Sequence, residues 1–199
     1  MKHHMKHTHF RKKARRYKGY TAAVLAELWR GGVGIFPTDT LYGIVAPAFS
    51  EAAVERIYRL RKRSKKKPSI ILIAAPEDIA LFGIKAGRKE RLFLEKAWPG
   101  KVSVILSCPG SEFSYLHRGA YTLAFRVPKN AALRRFLKFS GPLIAPSANP
   151  EGKPPAQTIR EARRYFGDRV DFYIHRGRLG GKPSRLVELK NGEVKILRK

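Results

Sequence analysis

Ser50 to Ala74 reads "SEAAVERIYRLRKRSKKKPSIILIA", and the character of the chain changes twice within it. Ser50 is an N-cap residue, and Ala53, Val54, Ile57 and Leu60 behind it recur at helical spacing, so the first part predicts an amphipathic helix. "SIILIA" at the far end is a short apolar run of the kind that forms a buried strand. Between them, six of the seven residues from Arg61 to Lys67 are cations. Helix, cationic connection and buried strand in succession point to a mixed α/β layer structure. The cations could serve a solvated loop, a nucleic-acid patch or a clamp on a polyanionic ligand. If the chain leaves the helix near Leu60 and runs extended, Arg61, Arg63, Lys65 and Lys67 share one face and Lys62 and Lys66 the other. Pro68 would hold the preceding Lys67 extended at the entry to the strand.

The same alternation continues outward. Upstream, "TAAVLAELWRGG" has helix formers closed by a glycine pair, and "VGIFPT" reads as a strand. Downstream, "RKERLFLEKAW" predicts a helix ended by Pro99-Gly100, "KVSVIL" and "YTLAFRV" predict strands, and "NAALRRFLKF" predicts a helix. "PLIAPS" then reads as a strand, "TIREARRYF" as a helix and "VDFYIH" as a strand. "RLVELKNGEVKILR" is two alternating strands around Asn191-Gly192, the strongest short-range hairpin signal. The expectation is a twisted mixed sheet with flanking helices and a C-terminal β-hairpin, without internal repeats.

A chain of 199 residues, 43% hydrophobic, supports one core. Residues 1–20 read as a flexible basic and histidine-rich arm and 21–199 as the folded domain. The first eighteen residues carry eight Lys or Arg and no acid. His3, His4, His7 and His9 in that arm are read as solvated rather than as a metal site. Lys and Arg total 42 against 15 Asp and Glu, a formal charge of +27. Self-repulsion on that scale implies an anionic partner, nucleic acid or phosphate-rich ligands, since thermophilic charge enrichment would raise the acids too. The single cysteine, Cys108, excludes an internal disulfide framework. No apolar run approaches the roughly 20 residues of a membrane helix, and no secretory leader is evident, so a soluble cytoplasmic protein is expected.

Familiar catalytic and nucleotide signatures are missing. "GRLGGKPS" at Gly177 to Ser184 has the wrong glycine spacing for a P-loop, and His117 and His175 are isolated. Instead, polar loops follow strands. "FPTDTLYG" supplies Thr38, Asp39, Thr40 and Tyr42, "APSANPEGKPP" supplies Ser147 and Asn149, and "GGKPS" supplies Ser184. Ligands in open α/β sheets collect beyond strand ends, although each loop alone is also ordinary turn chemistry. Arg126, inside the apolar strand "LAFRVP", must be paired. Recognition of a ligand carboxylate and a structural ion pair both satisfy it.

"FPTDTLYG", "IYRLRKR…KKP", "WPG", "LAFRVP", "PSANPEGKP" and the closing "ILR" occur in the order found in the YrdC family, over about Ala22 to Arg198. The resemblance implies a YrdC-like fold with an open, concave, basic face. It also implies the family's reaction, in which L-threonine, bicarbonate and ATP become threonylcarbamoyl-AMP and pyrophosphate for threonylcarbamoyladenosine formation on tRNA. Such chemistry needs positioning and electrostatic stabilisation rather than a protein nucleophile. Carried over residue by residue, the family pattern puts threonine on Thr40, Thr122, Arg126, Ala145 and Ser184. It puts ATP on Arg61, Arg63, Lys67, Ser147, Asn149 and Arg198, with Arg61 and Arg63 as the electrostatic catalytic pair. Mg²⁺ would arrive with ATP and be held by no protein ligand. Partners would include tRNA or other RNA on the basic surface and a downstream tRNA threonylcarbamoyltransferase complex. The chain departs from the family at Arg61 (usually Lys), Ser64 and Lys101 (usually Pro) and Arg185 (usually Thr). Two other readings stand beside it: a catalytically silent double-stranded RNA or tRNA-binding module, and carbamoyl-adenylate chemistry on another acceptor.

Overall fold

The computed structural model describes residues 13–64, 69–190 and 192–199. Strand β1 (Arg15–Tyr17) leads to helix α1 (Ala22–Trp29) and a tight pair of strands, β2 (Gly34–Pro37) and β3 (Tyr42–Pro47). Helix α2 (Glu51–Arg61), strand β4 (Ile70–Leu72), a 3₁₀ segment (Pro76–Phe82) and helix α3 (Arg88–Ala97) follow. Next come β5 (Val102–Ser107), the short α4 (Ser114–His117), β6 (Thr122–Arg126), α5 (Ala131–Ser140) and β7 (Leu143–Ile144). Helix α6 (Ile159–Phe166), β8 (Phe172–Ile174) and the terminal hairpin of β9 (Arg185–Lys190) and β10 (Glu193–Arg198) complete the chain. Helices α1, α2, α5 and α6 begin where side-chain oxygens satisfy free N–H groups: Thr21, Ser50, Asn130 and Thr158 each accept from the backbone of their own first turn.

The strands form one ten-stranded sheet in the order β1-β8-β2-β3-β7-β4-β6-β5-β9-β10. Pairing is mixed, with parallel contacts at β1–β8, β8–β2, β4–β6 and β5–β9 and antiparallel ones elsewhere. Strand alternation gives the sheet two unlike faces. Ile35, Ile44, Ile71, Val104, Phe125, Ile144, Tyr173 and Val187 join α2, α3, α4 and α6 in the larger core. Phe36, Val45, Leu72, Leu143 and Phe172 point the other way, into a smaller core with Val24 and Leu28 of α1 and Leu133, Phe136 and Leu137 of α5. Among the described residues α1 and α5 are the helices on this second side, and they cover the β8–β2–β3 half. The inward-alternate residues of β4, β6, β5 and β9 are left facing an open cleft.

Several readings are corrected. Order begins before Thr21: Arg15–Tyr17 pairs in parallel with Phe172–Ile174, and Tyr20 stacks on Phe36. Edge pairing of backbone groups needs no hydrophobic periodicity, so three residues of basic sequence gave no signal. The arm's histidines His3, His4, His7 and His9 lie outside the described residues. "FPTDTLYG" is not a strand followed by a loop but a hairpin, because β3 begins at Tyr42 and pairs antiparallel with β2. Helix α2 runs through Arg61 and stops because Lys62 is left-handed, at φ 50°. Arg61 therefore belongs to the helix, not to an extended run. Its burial beside exposed Lys62 and half-buried Arg63 still sorts the cations into two environments. Lys65, Lys66, Lys67 and Pro68 lie outside the described residues. No helix among the described residues is long and apolar enough to cross a membrane.

Gly34 marks the tightest point between β2 and β8: a Cβ there would run into the ring of Phe172. Gly34→Ala is expected to destabilise the protein by about 1–3 kcal/mol, as overpacked cores are, and a urea unfolding midpoint checks it.

Candidate active site: two adjoining cationic cavities

The open cleft resolves into two cavities that share the walls Ile70, Ser147 and Arg198. The smaller, about 110 Å³, lies among the β2–β3 turn, Arg126, Ala145 and the Pro183–Ser184 segment. The larger, about 400 Å³, lies over Ile105, Thr122, Ala124 and Leu186 beside Arg61 and Arg63. The second falls within the usual range for sites that enclose a nucleotide-sized molecule, and the first suits only a few-atom ligand. No carboxylate lines either one.

The small cavity depends on the turn Thr38–Leu41. Thr38 Oγ1 accepts from the backbone N–H of Thr40 and of Leu41 and donates to the Leu41 carbonyl at 2.7 Å. That closes the turn on itself and points Thr40 and Asp39 at Arg126. The Arg126 guanidinium donates to Asp39 Oδ1 at 2.9 Å and to Thr40 Oγ1 at 3.1 Å, while its Nε is buried with no hydrogen-bond partner. Asp39 is itself held, since its Oδ2 accepts from the backbone of Lys129. Arg126 is 4% exposed, and burial lowers its pKa; Asp39 opposes that shift and Arg198 reinforces it. Two arginines thus face one carboxylate. The surplus positive charge, together with an orphaned donor, gives an anion in this cavity a direct electrostatic reason to bind.

The cavity's other wall is the strap from Gly177 to Ser184. Tyr42 Oη donates to the Gly177 carbonyl and accepts from the Arg176 N–H, anchoring one end. Ser184 Oγ lies 2.8 Å from Ser103 Oγ, and its carbonyl accepts two bonds from Arg198. Gly181 touches the Thr40 backbone so closely that a Cβ would collide with the Thr40 carbonyl oxygen.

In the larger cavity Arg61 is 3% exposed. Its Nε donates to the Asn149 carbonyl at 2.8 Å and its Nη2 reaches Ser147 Oγ at 3.4 Å, while Nη1 is buried and unpartnered. Burial first, and then the neighbouring Arg63, push the Arg61 pKa down to about 10. A guanidinium held that far from comfort still carries its charge at neutral pH and is stabilised by an incoming anion.

The residues singled out from sequence fall as follows. Thr40, Arg126, Ala145 and Ser184 line the small cavity together, and Arg61, Arg63, Ser147 and Arg198 line the large one. Thr122 lies on the large cavity, apart from the other four residues grouped with it. Asn149 lines neither. Its amide donates to the Pro150 and Lys153 carbonyls, so it shapes the loop whose carbonyl fixes Arg61. Lys67 lies outside the described residues. Sequence reading missed the structural work of Thr38, Tyr42 and Gly181, and it named Asp39 without its role as partner of Arg126. His117 is a core residue: its ring accepts from the Gly119 N–H and stacks on Tyr121.

The family model named for Sua5, YciO and YrdC, and described as telomere recombination, matches residues 26–199. A Marinobacter nauticus protein named threonylcarbamoyl-AMP synthase is 34% identical over 171 residues, 82% of this chain and 87% of that protein. The structure of P. abyssi Sua5 complexed with L-threonine superposes with a TM-score of 0.82 at 26% identity. That alignment covers 94% of this chain and 57% of the P. abyssi chain, so the present protein spans little more than half of it. E. coli YciO, at 21% identity and a TM-score of 0.79, shares the fold over 94% of each chain.

Removing the carboxylate that faces Arg126 should leave a buried charge unpaired. Asp39→Ala is expected to cost about 3–5 kcal/mol of stability, the usual result of breaking a buried pair. Chemical unfolding measures it, and the structural role assigned to Asp39 fails if the loss stays below about 1 kcal/mol, the worth of an exposed pair.

Proposed function

The chain belongs to the Sua5/YciO/YrdC family, and from that membership we propose that it is a threonylcarbamoyl-AMP synthase working in the cytoplasm. The observation that carries the assignment to this chain is the pair of adjoining, acid-free cavities, one small and one large, joined through Arg198 and Ser147. The small cavity takes L-threonine, with its carboxylate on Arg126 and Thr40 and its hydroxyl toward Ser184. The large one takes ATP, with the phosphates toward Arg61, Arg63 and Arg198 and with Thr122 beside the junction. Lys67, at the end of the same cationic run, is assigned to ATP as well.

The reaction balances without a protein nucleophile. The neutral threonine amine and bicarbonate give the N-carbamate and water. A carbamate oxygen then bonds to the α-phosphorus of ATP as the bond from that phosphorus to the bridging oxygen breaks, and pyrophosphate leaves. Three anions converge, so the protein's work is to hold them together and to offset charge that grows on the departing pyrophosphate. Arg61 is suited to this because Asn149, Ser147 and the end of α2 fix it in place before any ligand arrives. Mg²⁺ would supply charge neutralisation on the phosphates. The cations, hydroxyls and apolar groups that line the cavities do not suit a hard divalent ion, and so the nucleotide and water would hold it. The product would pass to a transferase complex that modifies tRNA.

A silent RNA-binding module would have no use for two fitted cavities with prepositioned arginines.

Pyrophosphate release from ATP should require both L-threonine and bicarbonate; release with either one withheld would contradict the assignment. Arg126→Ala should raise the threonine requirement by orders of magnitude with ATP binding nearly intact. Arg63→Ala should cost about tenfold to a thousandfold in adenylate formation, whereas exposed Lys62→Ala should change it by no more than about threefold. Gly181→Ala should force the strap off the Thr40 turn and weaken L-threonine binding while ATP affinity stays within about threefold, both read by calorimetry.

A further inference from the structure

A third cavity, about 620 Å³, lies on the opposite face of the sheet, at the β1–β8 edge, and shares no residue with the two above. Arg16 and Lys18 from the β1 segment, Arg160 and Arg163 from α6, and Tyr173 and His175 from the β8 segment converge on it. No Asp or Glu lines it. Strand alternation explains the convergence. Arg16 pairs in register with Tyr173, whose side chain belongs to the core beneath α6, so Arg16 and Lys18 point to that same side. Arg160 lies in the first turn of α6, and Arg163 follows it on the same helix.

The charges here are poorly matched within the protein. Among the described residues, the side chains of Arg16, Lys18 and Arg160 have no ion pair or hydrogen bond. Arg163 lies over the Tyr173 ring at 5.1 Å and reaches Asp168 at 3.4 Å, but its Nη1 is buried with no partner. One carboxylate against four cations leaves a concentrated positive recess with an unsatisfied donor in its wall. Tetrahedral oxyanions suit such a group better than a single carboxylate does, since several donors arrive from different directions. Arg16 and Lys18 also precede residue 26, where the family match begins, so the recess is built partly from chain that the match does not include.

We infer that this recess is a second phosphate-binding site, separate from the reaction cleft. Phosphate groups could come from an RNA backbone or from a free polyphosphate. With a formal charge of +27 on the chain, an RNA strand laid along the β1–β8 edge is the expected source.

The test uses the full-length protein and the triple variant Arg16→Ala/Lys18→Ala/Arg160→Ala, exposed positions whose side chains carry no structural bonds. A second triple variant, Lys85→Ala/Arg135→Ala/Lys138→Ala, removes equal charge elsewhere. Binding of a short single-stranded RNA is followed against salt. The first variant should flatten the slope of log K on log[salt] by about 2, at about 0.7 per lost phosphate contact, and the second should leave it nearly unchanged. Adenylate formation should be unaltered in both. In parallel, inorganic pyrophosphate is titrated while backbone amide resonances are recorded. Saturable shifts at 16–18, 160–163 and 173–175, with no difference in RNA slope, would assign the site to free polyphosphate. Equal slope changes in both variants, with no localised shifts, would overturn the proposal and leave only a diffuse field.

Discussion

Burial of arginine without matching acid is the constraint on which this structure turns. Arg61 and Arg126 are each almost fully out of water, and each keeps one guanidinium nitrogen without a partner. Desolvation of that kind is costly unless the surroundings fix the group and supply partial charges. The turn at Thr38–Leu41 and the loop at Ser147–Asn149 do so with hydroxyls and a carbonyl, Asp39 supplies a carboxylate to Arg126, and Glu151 offsets part of the cost at Arg61. A complete set of acids would make the protein more stable and the cleft useless to anions. The site is therefore a place where stability is withheld from the empty protein and recovered when ligands arrive.

The sheet makes this arrangement possible. Its two cores are unequal: helices cover most of one face but only about half of the other. The uncovered half exposes the small alternate residues Ala124 and Thr122 beside Ile70 and Ile105, a floor flat enough for a nucleotide. Cations stand beside it, Arg61 buried at the end of α2 among the polar groups of the Ser147–Asn149 loop and Arg198 on the edge strand β10. The +27 charge is thus partly local and functional rather than evenly spread.

Much of this was legible in the sequence, for physical reasons that also explain what was not. The Ser50 cap and helical spacing located α2, helical segments were legible at α5 and α6, and Asn191-Gly192 located the terminal hairpin. Arg126 stood out because a cation inside an apolar strand must have a partner. What no local pattern carries is pairing at a distance. Strand β1 is three residues, Arg15–Tyr17, held by backbone pairing to β8, by Glu27 and by the Phe172 ring, all distant in sequence, and the hairpin between β2 and β3 hid inside a motif that reads as a polar loop. Asp39 and Arg126 lie 87 positions apart, so their bond could be known only as an alternative. Asn149 was placed on the nucleotide by the family pattern; what the sequence could not show is that its carbonyl serves Arg61 and its side chain ties down its own loop. Thr122 was grouped with the threonine residues by family pattern, and its position at the start of β6 puts it on the larger cavity.

The most direct test of the account follows a single carbon atom. The protein is incubated with L-threonine, ATP and ¹³C-labelled bicarbonate, and the nucleotide products are examined by mass spectrometry. The two-cavity arrangement predicts a species containing AMP, threonine and one labelled carbon, formed together with pyrophosphate. An adenylate of threonine that lacks the label, or no adenylate at all with all three substrates present, would contradict the claim that these cavities join a carbamate to a nucleotide.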